Sequence, residues 1–198
     1  MVKIPGKTFF DAIYDERLHK LSLDRIIIQF FIDNNIDYCL IGGKALTVYR
    51  YERETMDIDF LINENDYIKV KKYLIEKGYQ ALHNESLSFF NSEAQHQIDL
   101  ILSGSKYIEL FAFPKPAEVS EMIKGVSVIT LKNLIRFKIY SGYSMERRMK
   151  DWHDVIQLID INKLKSDFLI NEKDEKLKIV YDLAFKQEVK ELFNLEDY

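Results

Sequence analysis

One cysteine, Cys39, in 198 residues excludes an intramolecular disulfide framework. It falls inside a hydrophobic stretch, where a thiol reads as a small buried apolar group rather than a nucleophile. Three prolines and seven glycines leave no room for long flexible linkers. Long hydrophobic runs are missing too. The longest, Ile26 to Ile32, is short and broken by Gln29, so no transmembrane helix is expected. The N-terminus lacks a charged-then-apolar leader pattern, and the expected location is the cytoplasm. Neither charge sign dominates. With 28 Lys+Arg against 32 Asp+Glu the formal net charge is −4, so bulk electrostatics do not draw the chain to nucleic acid and leave only a local basic groove. The four histidines, His19, His83, His96 and His153, have no zinc-site spacing. Twelve tyrosines and thirteen phenylalanines are scattered, without the clustering of a base-stacking platform.

What is present suits one compact domain, or one domain with a small helical extension. Hydrophobic residues make up 47% and charged residues 30%, the balance of a globular protein with a sizeable core. Apolar positions 23, 26, 27, 30 and 31 predict a helix over 21–34, with Ser22 as its cap. Tyr38 to Ile41 reads as a buried strand, Lys44 to Tyr51 as a short helix, and 56–62 as a second strand. A helix over 65–77 closes at Gly78. Segments 79–83 and 87–91 predict a hairpin, and 95–102 a further strand. Segment 106–113 is ambiguous between strand and helix, and 117–128 reads as extended with a turn at Gly125. From Thr130 the pattern is helical, with helices after Thr130, over 145–159 and over 171–193. Trp152 reads as core. The expected fold is therefore α/β (α+β). A small mixed sheet flanked by helices occupies 1–129 with an N-terminal helix, and a C-terminal helical bundle follows over 130–198.

The chemistry concentrates in residues 36–62. Gly42 and Gly43 end a hydrophobic strand, and Asp57 and Asp59 sit in the otherwise apolar run Asp57-Ile58-Asp59-Phe60-Leu61-Ile62. Strand alternation puts both acids on one face, about 6.8 Å apart between Cα atoms. Two carboxylates that close repel, and a divalent cation compensates, with Mg²⁺ or Mn²⁺ suited to hard oxygen ligands. A strand ending in Gly-Gly before a helix lets backbone approach a ligand closely and offers N–H groups to a phosphate. Together these features suggest a nucleoside triphosphate and its metal. The bland alternatives are a solvated edge strand carrying two acids and a tight turn made by two glycines.

Gly42-Gly43-Lys44-Ala45-Leu46, with Arg53, Thr55 and Asp57-Ile58-Asp59-Phe60, resembles the signature of the nucleotidyltransferase superfamily, whose best-known member is DNA polymerase beta. It is similar to the small bacterial branch that includes abortive-infection toxin nucleotidyltransferases and some aminoglycoside adenylyltransferases. The likeness is specific over 36–62 and looser over 95–160. It implies that Asp99, a lone carboxylate in Gln95 to Leu102, joins Asp57 and Asp59 as third acid of a catalytic, Mg²⁺- or Mn²⁺-binding set. It also implies a lysine, Lys138, directed at the triphosphate, and a nucleotide pocket built with Lys150, Asp151 and Asp154, so that the helical region 130–198 completes the cleft.

Each implication has a rival. Lys138 lies at the edge of an apolar stripe, where a lysine also snorkels to solvent. Arg147 with Asp151 and Lys150 with Asp154 have i,i+4 spacing, the mark of an ordinary salt-bridged helix face. Lys44 either contacts phosphate or points outward. Arg53 either approaches the acids or pairs with Glu52 or Glu54. Thr55 either donates to a phosphate or caps a turn. The expected function is metal-dependent transfer of a nucleoside monophosphate from an NTP to an acceptor hydroxyl, with pyrophosphate released. The acceptor is a small molecule, a protein or an RNA 3′ end. A setting in a toxin–antitoxin or defence system, with an antitoxin partner, goes with this reading. The rivals are a non-catalytic nucleotide-sensing or protein-binding module on the same fold, and a structural α/β protein with chance acids.

Overall fold

The computed structural model describes residues 23–53, 55, 57–83, 86–108, 111–144 and 149–188. The expectations placed on Ser22, Met56, the 84–85 turn, Arg147 and the helix beyond 188 fall outside them. Helix α1 (Leu23–Asp33) precedes strand β1 (Tyr38–Ile41). Helix α2 (Gly42–Leu46) tightens into a 3₁₀ turn over Thr47–Tyr49, and strand β2 (Asp57–Ile62) follows. Next come α3 (Tyr67–Glu76), β3 (Gln80–Ala81), β4 (Ser88–Asn91) and β5 (His96–Leu102). A separate ribbon pairs β6 (Lys106–Ile108) with β7 (Phe111–Ala112), which resolves the ambiguous segment as strand. Helix α4 (Pro116–Val119) leads into the hairpin β8 (Ser120–Ile123) and β9 (Val126–Ile129). Helices α5 (Leu131–Ser144), α6 (Met149–Ile161) and α7 (Glu175–Phe185) complete the described chain.

Seven strands form one mixed sheet in the order β3-β4-β5-β2-β1-β9-β8. β2 is its fourth strand, antiparallel to β1 and parallel to β5. One face of β2 is apolar: Ile58, Phe60 and Ile62 are fully buried. Phe31 of α1 meets the Phe60 ring at 5.1 Å edge-on and the Tyr38 ring at 4.9 Å. Phe30 stacks on Tyr73 of α3 at 3.7 Å, tying the two helices together on that side. These rings explain why the apolar stripe of α1 forms a helix that stays docked.

Two expectations shift. The helix predicted from Lys44 starts at Gly42, so both glycines are helical, and it ends at Arg50, whose left-handed φ of 67° turns the chain back toward β2. The 117–128 segment is a hairpin, but Pro116 at a helix N-terminus starts a short helix before it. Among the described residues no helix is long and apolar enough to cross a membrane.

Thr130 precedes helix α5, its hydroxyl accepting from Asn133 N–H at 3.4 Å, and α6 packs against α5 closely. The contact depends on Gly142. A Cβ there would collide with the Trp152 indole, which donates Nε1–H to the Ile139 carbonyl at 3.3 Å. Gly142→Ala is therefore expected to cost about 1–3 kcal/mol through overpacking, although alanine is the better helix former. Urea denaturation checks this, and an unchanged or raised midpoint would contradict the close crossing.

Candidate active site

The acids follow from register. Pairing of β2 with β5 sets Asp59 opposite Asp99 and Asp57 opposite Gln97. Alternation sends these four side chains to one face of the sheet, while Ile58, Phe60, Ile98 and Leu100 are buried on the other. One carboxylate oxygen from each of Asp57, Asp59 and Asp99 lies within 4.8 Å of the other two. The edge-strand alternative fails because β2 is central in the sheet.

The two glycines serve this cluster directly. Gly42 has φ 64°, and a Cβ there would overlap the Asp59 carboxylate. A Cβ on Gly43 would come within 2.9 Å of Thr55 Oγ1. The close approach read from the sequence as backbone to phosphate is, within the chain, backbone to acid. The Gly43 N–H donates to Asp59, so it is already engaged.

Each carboxylate has a different environment. Burial raises the Asp59 carboxyl first, Asp57 and Asp99 raise it further, and it is pushed up to about 7. Burial also raises Asp57. The hydrogen bond donated by the Thr55 hydroxyl, a backbone amide, Lys150 and Arg53 outweigh it and bring Asp57 below the ordinary carboxylate value. Asp99 accepts from Gln97 Nε2 at 3.0 and 3.1 Å on its two oxygens. A cation held by the three acids would offset the burial and the mutual repulsion that raise Asp59, and three hard oxygen donors fit Mg²⁺ or Mn²⁺.

A second charged layer stands beside the acids. Lys138 of α5 does not snorkel. It is 7% exposed, and its ammonium lies 2.6 Å from Asp151 and 2.8 Å from Asp154, both on α6. Burial lowers the ammonium, but Asp154 and Asp151 outweigh it and raise it above the ordinary lysine value. Arg53 pairs with Asp154: Nε and Nη2 donate to its two oxygens at 3.0 Å each. The Ser141 hydroxyl donates to Asp151. Asp151 and Asp154 are 2% and 1% exposed, so the solvated helix face with a Lys150–Asp154 pair is corrected. A buried carboxylate needs strong donors, and here they come from other elements.

These residues surround an open cleft of about 870 Å³, its mouth included. Its charged and polar lining contains Gly42, Gly43, Arg53, Thr55, Asp57, Asp59, Asp99, Lys138, Ser141, Lys150 and Asp151, while Ile41, Ile101, Phe113, Leu134 and Phe137 form the apolar part. Of the residues singled out in the sequence, Lys44 and Asp154 do not line it. Gln97, Ser141 and the aromatic pair Phe113–Phe137, 5.4 Å apart and edge-to-face, were missed. Gln97 was readable, two residues before Asp99 on the same strand face, and so was Ser141, three residues after Lys138 on one helix. The Phe113–Phe137 contact had no local signal.

No family model matches the chain, and no curated protein matches its sequence. Solved structures do match its fold. The antibiotic-resistance factor ANT(2'')-Ia is similar at TM-score 0.51 and 16% identity, over 86% of this chain and 93% of that one. The lincosamide antibiotic adenylyltransferase LnuA, solved with lincomycin bound, is similar at TM-score 0.51 and 20% identity, over 69% of this chain and 94% of that one. An antigenic nucleotidyltransferase-like protein from Paracoccidioides brasiliensis is similar at TM-score 0.51 and 14% identity, over 85% and 89%. The fold is the one these nucleotidyltransferase structures share.

The Asp59 environment gives a signed prediction. Its folded carboxyl titrates near 7, above the ordinary carboxylate value of the unfolded chain. Its protonation therefore stabilises the metal-free fold fully below about pH 4, and that contribution is lost as pH rises through about 7. With chelator present, the melting temperature should fall from about pH 5 to about pH 8, and Asp59→Asn should flatten the fall. Equal slopes in the two proteins would contradict the raised Asp59 carboxyl.

Proposed function

We propose that the chain is a divalent-metal-dependent nucleotidyltransferase, which moves a nucleoside monophosphate from an NTP to an acceptor hydroxyl and releases pyrophosphate. The observation that carries this is the triad Asp57, Asp59 and Asp99, opening into a cleft that Arg53, Lys138 and Lys150 also line. A fold shared with nucleotidyltransferases supports it. Asp57 and Asp59, with Asp99, would hold the cation. When bound, the cation would neutralise phosphate charge and act as a Lewis acid on the transferring phosphoryl group.

The chain's own residues account for the remaining roles. Gly42 and Gly43 bring backbone, with no side chain, to the edge of the acid cluster, where the triphosphate would pass. Arg53, Lys138 and Lys150 set positive charge along the wall that would face it. Thr55 keeps Asp57 oriented and ionised. Gln97 holds both oxygens of Asp99, which either completes the metal set or takes the proton of the acceptor hydroxyl. In the second role the acceptor oxygen bonds to the α-phosphorus, the bond to the β-phosphate bridge breaks, and the electron pair leaves with pyrophosphate. The apolar wall at Ile101, Phe113 and Phe137 offers a surface for an uncharged ring. ANT(2'')-Ia is described as an antibiotic-resistance factor and LnuA as an antibiotic adenylyltransferase, so drug hydroxyls come first in an acceptor search, ahead of protein and RNA.

The test is incubation with labelled nucleotides and Mg²⁺ in lysate and with a panel of hydroxylated antibiotics, sorting label into RNA, protein and small molecules. Label transfer that stops with chelator is the expected result. Nucleotide binding without transfer would favour the non-catalytic module. Asp99→Asn should keep nucleotide affinity within about tenfold, or about 1.4 kcal/mol, while transfer falls at least about a hundredfold. Wild-type transfer by that variant would remove Asp99 from the chemistry.

By calorimetry, Asp57→Asn and Asp59→Asn should each sharply weaken Mn²⁺-dependent nucleotide binding, since each removes a negative ligand at nearly constant volume. Unchanged binding in both would sink the metal assignment.

A further inference from the structure

Asp154 does not line the cleft, yet two of the cleft's cations are anchored on it. One carboxylate oxygen accepts Arg53 Nε at 3.0 Å. The other accepts Arg53 Nη2 at 3.0 Å and Lys138 Nζ at 2.8 Å. The Tyr51 hydroxyl also bonds to it. Three segments therefore meet at one buried group: the distant chain between the 3₁₀ turn and β2, and the consecutive helices α5 and α6. A buried ion cluster is a poor device for stability alone, because apolar side chains of similar volume serve as well or better. What it does supply is direction. A guanidinium held at Nε and one Nη has its plane and roll fixed, whereas a surface arginine samples many rotamers.

We propose that Asp154 is a positioning residue: it fixes the Arg53 guanidinium and, together with Asp151, the Lys138 ammonium on the wall facing Asp57, Asp59 and Asp99, so that both cations are already in place for a polyphosphate. This rests on the nucleotidyl-transfer reading. The chemistry recognised is the phosphate chain, and the nucleoside gains nothing from the arrangement. Arg53 is 24% exposed, open enough to meet a ligand, while Asp154 at 1% is not.

The experiment measures binding of the four Mg²⁺–NTPs by calorimetry and of the matching nucleosides by NMR titration. Wild type, Asp154→Asn, Arg53→Lys and the double variant are compared. Asp154→Asn keeps the shape and loses the charge, and Arg53→Lys keeps the charge and loses the fork. Each should weaken NTP binding at least about tenfold with nucleoside binding unchanged, and the double variant should be no weaker than the weaker single. NTP affinity within about twofold of wild type in a folded Asp154→Asn overturns the proposal. So do additive losses, or equal losses for NTP and nucleoside, which mark a merely structural role. Should Asp154→Asn fail to fold, Arg53→Lys decides alone by the same criteria. A wild type that binds no NTP removes the functional reading and this inference together, whereas NTP binding indifferent to both variants removes only the inference.

Discussion

Repulsion among three carboxylates, held within 4.8 Å of one another, is the constraint round which the cleft is built. It originates in a single register, the parallel pairing of β2 with β5 that sets Asp59 against Asp99. Everything near the cluster answers to it. Gly42 and Gly43 lack side chains because Asp59 and Thr55 occupy the space a Cβ would need. Thr55 donates to Asp57, Gln97 to Asp99 and the Gly43 amide to Asp59, so each acid has its own donor. Asp59 is still pushed up to about 7, so these donors do not fully offset its burial and the neighbouring carboxylates. A cation among the three acids would offset both their mutual repulsion and the burial of Asp59.

The charges alternate in layers. Beside the acids lie Lys138 and Arg53, and behind those lie Asp151 and Asp154, almost fully buried. The last layer sits on α6, whose approach to α5 depends on Gly142 admitting Trp152. Gly142 and Trp152 adjoin Ser141 and Asp151, which line the cleft, so the helix crossing bears directly on it. If the crossing opened, Lys138 would lose its carboxylates, and the cationic side of the cleft would move with it.

The strands were legible where periodicity and chemistry agreed. Tyr38–Ile41 reads as a buried strand because all four residues are apolar, and β2 reads as a strand because its acids alternate with Ile58, Phe60 and Ile62. The glycine pair was legible as a place of close approach, but not the neighbour approached, since Asp59 is brought there only by strand pairing, opposite Ile41. Nothing local to Lys138 or Arg53 could show that both meet Asp154, which is 101 residues from Arg53 and on a different helix from Lys138. The Lys150–Asp154 spacing suggested a surface pair, whereas burial of Asp154 demanded stronger donors from two other elements. The chain's departures from local expectation gather at the cleft, the pattern that functional sites show.

The central claim is that the triad is a cation site serving a nucleotide. Crystals grown with Mn²⁺ and a non-hydrolysable nucleoside triphosphate analogue, with diffraction recorded at the manganese edge, test it most directly. The account predicts an anomalous peak coordinated by Asp57 and Asp59 and bridged to the phosphates, with Asp99 at its side. Nucleotide bound with no manganese at the triad, or manganese ordered at another site, would contradict it.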